Sequence, residues 1–443
     1  MLVPGICGTE LIDPATNAVV WGVGYRQLGK ALGGGSVFEQ LQDPRLKPTR
    51  LLASVGTLPG LGRFEPYTGL SRHMKILVRS HEAFAEYPYD WRNAVAATAE
   101  DFAKTAAAHL ERWRRHRYGS AEAKLTLIAH SMGGLVCLQA LGAHPEILPA
   151  EHVREVITLG TPHLGSVKAV RAMATGEVLP VGWAISRKTK ARLRLLAWTT
   201  PSLYDLLPSF PCTYETGGVI TTASLRRLTA VDIADLGGST DMATAAMTAR
   251  VVRSSARVKI MSVAGTGQRT LSSFENRGGE TEFFDHVGGY EWGGDGTVHF
   301  HASRPVGGTA DASLSQAHGA LAKCEEVKVL LEGRLNALAL GPWQSGGGLG
   351  LQADEAVERN TPVRIEGRMP EGVLATCSWR EAVTSFTGTI DLGPPKLIEL
   401  ADGTKQHVRT GTHGWRSPGL YTITASGGGG TDVSVDVLVE DDE

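Results

Sequence analysis

The sequence predicts an α/β protein: a mainly parallel sheet with helices on both faces, carrying a helical insertion and followed by a small all-β sandwich. Three observations predict this. Short apolar runs alternate with longer stretches of helical period through the first three quarters of the 443 residues. Between Ser166 and Ala256 the pattern stays helical but is broken by Pro180, Pro201, Pro208 and Pro211, as expected of a cap inserted above the sheet. Beyond a Gly-rich stretch at Gly341, alternating segments such as the one opening at Pro362 and Val433–Val439 are separated by Gly and Pro turns, which is sandwich spacing.

Taken in order, Leu2-Val3 reads as a strand ending at Pro4-Gly5, and Ala83 to Tyr87 as another closing at Pro88-Tyr89-Asp90-Trp91. Val95, Ala99, Phe102, Ala106, Leu110 and Trp113 recur every three or four residues and make one apolar helix stripe. Leu125 to Ile128 is a compact strand, and Gly133 to Leu141 a helix. Val153–Leu159 and Val258–Val263 are two further strands, completing the alternation that implies a parallel sheet covered on both sides. The boundaries follow: 1–338 for the sheet domain with its cap at about 166–256, a linker over 339–354, and the sandwich over 355–443. Ser417-Pro-Gly-Leu-Tyr421 is similar to the turn-then-Tyr segment of immunoglobulin-like sandwiches, and the acidic end at Glu440–Glu443 reads as a solvated tail.

Composition narrows the function classes. With 44 basic and 46 acidic residues the formal charge is −2, which argues against nucleic acid as a partner, because phosphate binding calls for a basic excess. The chain is 42% hydrophobic and 20% charged, ordinary for a globular protein. Neither a basic, apolar leader at Met1 nor a run of about 18 apolar residues is present, so a soluble, cytoplasmic protein is expected. Cys7, Cys137, Cys212, Cys324 and Cys377 are scattered and lack metal-ligand spacing, so reduced thiols are expected, with neither a metal nor a cofactor.

The sharpest signal is Leu125-Thr-Leu-Ile-Ala-His-Ser131-Met-Gly-Gly. A serine between an apolar strand and a helix, with small neighbours at Ala129 and Gly133, fits a tight bend that lifts its hydroxyl out of the sheet edge. The helix N-terminus beyond it offers backbone N–H groups and positive partial charge to an oxyanion. A hydroxyl needs a base, and the base an orienting acid, which on this kind of bend follow in the order Ser, acid, His. Asp295, in the turn Gly293-Gly-Asp-Gly-Thr, and His318, ahead of a helix patterned by Leu321, Cys324, Val327 and Leu331, fit those roles. Asp285 and Asp311 compete for the acid. His299 and His301, read as alternating with Val298 and Phe300 on a strand, and His163 compete for the base.

These segments resemble the lecithin:cholesterol acyltransferase family of α/β-hydrolases and its bacterial lipase-like relatives. The matching pieces are Val3-Pro-Gly-Ile-Cys-Gly-Thr-Glu-Leu11, Pro88–Arg92, Ile128–Gly134, Leu159–Gly165, Pro201–Pro208 and Gly294–Val298. They fall in the family's order over about residues 1–335, although Ala129 stands where the family's bend has Gly and Ile6 replaces a more polar residue. The resemblance implies an α/β-hydrolase fold with Ser131 as nucleophile, Asp295 as acid, His318 as base, and an oxyanion hole of the Ile6 and Met132 amides. Cys7, His130, Thr161 and His163 are expected to line the substrate pocket. Tyr89, Asp90 and Trp91 are expected to brace a strand end, and Ser202 to Pro208 to pack beneath the cap.

The expected function is a serine acyl hydrolase or acyltransferase, lipase- or phospholipase-like, acting on lipid acyl esters through an acyl-enzyme. The alternative is a catalytically silent hydrolase-fold binding module whose sandwich contacts a protein partner or a second copy. In the cap, Arg187, Lys188, Lys190, Arg192 and Arg194 interleave with Ile185, Leu193, Leu195, Leu196 and Trp198. Such a segment suits peripheral contact with an anionic membrane, but equally a helix with its apolar side on the core and its cations in water, which is the preferred reading.

Overall fold

A computed structural model describes residues 1–22, 37–52, 67–176, 187–214, 224–277, 280–287, 289–305, 310–336, 343–344, 349–354, 356–370, 373, 375–381, 385–399, 405–427 and 432–440. Six strands form a wholly parallel sheet: β1 (Leu2–Val3), β2 (Leu125–His130), β3 (Val153–Leu159), β4 (Ile260–Gly265), β5 (Ala312–Leu314) and β6 (Trp343–Gln344), side by side in chain order. Parallel neighbours need crossovers, and four helices that cover the sheet lie within them. They are α1 (Val95–Arg114), α2 (Met132–Ala143), α3 (Thr240–Ser254) and α4 (Glu325–Leu335).

Strand alternation splits the interior into two cores. Val3, Leu127, Ala129 and Val156 face one side, packed with α1 and α2. Leu2, Ile128, Ile157 and Val263 face the other, packed with Thr68–Leu77 and α4. Each fully buried Leu, Ile or Val side chain contributes roughly 1.5–3 kcal/mol relative to exposure. The α1 stripe is seated as its period predicts, with Val95, Ala99, Phe102, Ala106 and Leu110 buried. Its first turn has no local side-chain cap; Asp205, 110 residues away, accepts from the Val95 amide at 2.8 Å. The α2 helix is buried from Met132 to Leu141, because α1 and α3 cover it from either side.

Several expectations change at element boundaries. Ala83–Tyr87 does not form a strand: a 3₁₀ turn takes His81–Ala83, and only Glu86 bridges to Leu2. The helix after His318 starts at Glu325, with Leu321 and Cys324 in the turns before it. His299 and Phe300–Ser303 are a 3₁₀ turn with its cap rather than a strand; the His299 ring accepts from the His301 amide, which curls the chain. Within the stretch read as cap, α3 packs on α2 as a sheet-covering helix. The cap's small sheet joins Thr213–Tyr214 and Leu225–Arg226 to Ser273–Arg277 and Glu280–Phe284, which lie beyond residue 256. Pro180, Ile185 and Gly341 lie outside the described residues, as does the tail at 441–443.

The basic cap helix Arg187–Thr199 buries Leu193, Leu196 and Ala197. On its polar side Arg192 pairs with Glu39 at 3.2 Å and Arg194 stacks over Trp198. Among the described residues no helix is long and apolar enough to cross a membrane, and all five cysteines carry free thiols.

The C-terminal part is a pair of sheets. One holds Gly350–Ala353, Val363–Pro370, Lys405–His413 and Lys396–Glu399; the other holds Ala356–Glu358, Val433–Glu440, Gly419–Gly427, Ala375–Glu381 and Thr387–Ile390. All their pairings are antiparallel except that of Ala356–Glu358 with Val433–Glu440. Val363, Ile365, Ile423, Val433, Val437 and Val439 fill the space between them. The Tyr421 hydroxyl donates to the Ser417 carbonyl at 2.9 Å, the corner bond expected of this segment. The stretch read as linker holds β6 and the first strand of this pair, because two- to four-residue strands rich in Gly carry no periodic signal.

Candidate active site

At the C-terminal end of β2 the chain turns so sharply that Ser131 adopts φ 51°, ψ −127°. For a residue with a side chain this is a strained conformation, and it persists only where the surroundings enforce it. The Ser131 amide donates to the Leu159 carbonyl at 2.9 Å, and the Thr161 hydroxyl donates to the Ser131 carbonyl at 2.9 Å. Beyond the bend α2 begins at Met132, with Ser131 at its cap position. A side chain at Gly133 would meet the Pro4 and Val3 carbonyls at 2.5 and 2.6 Å, so the turn after β1 packs directly on the start of α2.

That first turn, Gly5-Ile6-Cys7-Gly8, closes with the Gly8 amide on the Gly5 carbonyl at 3.1 Å, and Cys7 takes φ 61°. Tyr67 holds it: its buried hydroxyl accepts from the Gly5 amide at 2.8 Å and is 2.9 Å from His130 Nδ1. On the far side the Trp21 indole donates to the Cys7 carbonyl at 2.9 Å. Among the described residues no acceptor takes the Ile6 or Met132 amide. Donors without protein partners beside a strained serine are what oxyanion binding requires.

His318 and Asp295 come to Ser131 from loops after β5 and β4. His318 Nε2 is 2.9 Å from Ser131 Oγ, and His318 Nδ1 is 2.7 Å from Asp295 Oδ2. The other carboxylate oxygen accepts from the Thr297 and Val298 amides at 2.9 and 2.7 Å, and the His318 amide donates to the Asp295 carbonyl at 2.8 Å. Asp295 is 1% exposed, so its position is fixed by these bonds rather than by solvent. Space is tight: at Gly160, where φ is 59°, a side chain would meet Asp295 Oδ2 at 3.0 Å and His318 Nδ1 at 3.1 Å.

The competing candidates are engaged elsewhere. Asp285 pairs with Arg269, and Asp311 accepts from the Ser262 amide. His299 is buried between Phe210 and Trp292, and burial pushes its pKa down to about 4. His163 is buried 3.4 Å from the Thr158 hydroxyl, its pKa lowered to about 3 by burial and then by the Arg253 charge.

The residues expected to line a pocket are mixed. His130 has both ring nitrogens occupied, Nδ1 by Tyr67 and Nε2 by the His318 carbonyl at 3.0 Å. It braces the loop that carries His318 rather than facing open space, and burial lowers its pKa to about 3. Thr161 clamps the Ser131 carbonyl, as described. The Cys7 thiol is pushed up to about 12 by burial, which leaves it protonated and poorly nucleophilic. Tyr89, Asp90 and Trp91 behave as braces: the Tyr89 hydroxyl donates to the Pro4 carbonyl, Asp90 pairs with Arg92, and Trp91 packs edge-on to Trp21.

Sequence reasoning gave no role to Tyr67, Gln268 or Gln316: Tyr67 bonds Gly5 and His130, Gln268 bridges to Gly294 and Asp295, and Gln316 lies two residues before His318. Tyr67 and Gln268 are lone polar residues beside irregular chain, and Gln316 stands in the segment read for His318, where no spacing marks its own side chain. Among the described residues no cluster of His, Cys, Asp and Glu could hold a metal ion.

The parallel sheet with helices on both faces and a serine on the sharp bend after β2 make this an α/β-hydrolase fold. Within that class, residues 67–235 match the family model of lecithin:cholesterol acyltransferase, so the likeness read from the motifs stands. The chain is similar to the phosphatidylcholine-sterol acyltransferase of Mus musculus, 31% identical over 161 residues, which is 33% of this chain and 36% of that protein. It is also similar to the lysosomal phospholipase A and acyltransferase of Homo sapiens, 27% identical over 124 residues (27% of this chain, 29% of that one). The Bos taurus counterpart is 28% identical over the same length, again 27% and 29%. The chain thus spans about a third of the length of the curated relatives it matches. The family match includes Ser131 but ends before Asp295 and His318, whose assignment rests on geometry.

Proposed function

We propose that the protein is a serine-dependent enzyme acting on acyl esters of lipids, as a phospholipase or lipase or as an O-acyltransferase, with Ser131, His318 and Asp295 as its triad. The observation that carries this reading is the continuous hydrogen-bonded path from Ser131 Oγ through the imidazole to a buried, twice amide-bonded carboxylate. Ser131 attacks the ester carbonyl while His318 Nε2 takes the hydroxyl proton. Asp295 keeps the other ring nitrogen protonated and stabilises the imidazolium. The Ile6 and Met132 amides receive the negative charge that develops on the carbonyl oxygen. His318 then returns its proton to the leaving alcohol, and an acyl-enzyme remains. Water, or an acceptor alcohol that outcompetes it, attacks the acyl carbonyl as His318 takes its proton, and His318 then returns that proton to Ser131 Oγ as the ester bond to the serine breaks. The lipid character of the substrate is supported by the names of the relatives, which are lipid acyltransferases and a phospholipase.

The test joins nucleophile and substrate. A fluorophosphonate should modify the Ser131 peptide, and a panel of phospholipids and neutral lipid esters, read by mass spectrometry with and without an added long-chain alcohol, should show acyl release or transfer. An unlabelled Ser131 in the folded protein, together with no turnover of any lipid, would refute the proposal.

A further inference from the structure

The loops that bring Asp295 and His318 to Ser131 are irregular, and the C-terminal pair of sheets is fastened to both. On the acid side, Gln268 is the link. Its backbone bridges to Gly294 and Asp295, and its amide donates to the Gly294 carbonyl at 3.0 Å. Its buried side-chain carbonyl accepts from the Leu351 amide at 3.2 Å, and Leu351 lies on the first strand of the sandwich. The two backbones are in contact here: a side chain at Gly350 would meet the Gly267 carbonyl at 1.8 Å. On the base side Gln316, two residues before His318 and also buried, donates to the Asp432 carbonyl at 3.2 Å, just ahead of the strand Val433–Glu440. A third tie is ionic. Arg368 of the sandwich, 7% exposed at its side chain, bonds Glu291, four residues before Asp295, and is held by Glu366 at 2.9 Å.

We infer that the sandwich is a positioning element for the triad, and that Gln268 and Gln316 are positioning residues that fix the separation of acid and base from Ser131. The inference rests on the triad reading above. Proton transfer needs heavy atoms within hydrogen-bond reach, and a misplacement of about 1 Å costs on the order of 10²-fold in rate. Beyond the bonds within the site, each of these loops is pinned from the side by a sandwich backbone group. The residues recognise no substrate atom, so their loss should be felt in kcat rather than KM.

The experiment is steady-state kinetics of the full chain on a short soluble ester. The variants are Gln268→Met and Gln316→Met, which keep the unbranched shape and remove the polar atoms, and Glu291→Gln, at a partly exposed position, which removes the charge facing Arg368. Phe386→Ser, at an exposed site on the sandwich, is the control. The expected result is a fall in kcat of about tenfold for each glutamine variant and about threefold for Glu291→Gln, with KM within about twofold and the control unchanged. Equal loss from the Phe386 control, or kcat within about twofold of the parent in all three folded variants while Ser131→Ala is inactive, would overturn the inference. If either glutamine variant does not fold, the Glu291→Gln result decides alone. An active Ser131→Ala would instead overturn the triad reading on which the inference stands.

Discussion

A methyl group on Gly5 would lie 2.8 Å from the Cβ of Ser131 and 3.3 Å from the His130 ring. The backbone of the first turn therefore runs in van der Waals contact with the bend that carries the serine, with Ile6 the next residue along. Gly5→Ala should push this turn away from Ser131 without unfolding the sheet. The expected outcome is a loss of kcat of about 10²-fold, the size of one misplaced oxyanion donor, with far-UV circular dichroism unchanged. Activity within a few-fold of the parent would argue that the first turn contributes no donor.

If the triad acts as a unit, Ser131→Ala and His318→Ala should each lower kcat by about 10⁶, and the double variant should be no worse than either single one. Asp295→Asn should cost about 10⁴, since it keeps the shape but inverts the preferred tautomer of the imidazole. Ester hydrolysis under saturating substrate measures all four. A loss smaller than tenfold in Ser131→Ala would contradict the assignment.

Acid should destabilise the fold through its buried histidines. His163 has its pKa lowered to about 3 in the folded chain, mainly by burial, against about 6.5 when unfolded. Between these values the unfolded state binds a proton that the folded state does not. The stability this residue contributes is therefore complete above pH 6.5 and is lost as pH falls towards 3. From pH 6.5 to pH 5 the loss is about 2 kcal/mol for this one group. Urea denaturation of His163→Asn should show a correspondingly flatter pH dependence than the parent. Parallel curves would place the titrating group elsewhere.

Asp205 is 2% exposed and accepts from both the Arg253 guanidinium and the Val95 amide, each at 2.8 Å. Removing it strands a buried charge and leaves the first amide of α1 without a partner. Asp205→Ala should destabilise the protein by about 3–5 kcal/mol, visible as a lowered thermal midpoint. Arg253→Met paired with Asp205→Leu should recover part of that loss, because no isolated charge is left inside. A double variant as unstable as the single one would show that the helix-capping bond, not the ion pair, carries the effect.

A 3.6-residue stripe located α1, and short apolar runs located α2 and the strands β1 to β4, since a segment buried on every side reads as continuously apolar. Such patterning failed at Ala83–Tyr87 and at His299–Phe300, where a 3₁₀ turn satisfies the backbone locally and no ladder forms. The bend at Ser131 was legible because its small neighbours are a steric requirement written in consecutive residues. His318 and Asp295 were legible as types in suitable turns, each with rivals that no local rule removes. It is burial of His163 and His299, and the pairing of Asp285 and Asp311, that separates them.

The order of chemical groups along the chain, the bend that strains Ser131 and the segments that make sheet and sandwich follow from local sequence, because they depend on residues close together in it. Tyr67 bonded to Gly5 and His130, Asp205 capping a helix 110 residues away, and Gln268 and Gln316 reaching the sandwich backbone were decided by tertiary structure alone. A hydrogen bond between distant residues leaves no period or spacing behind, because its geometry exists only after the intervening chain has packed.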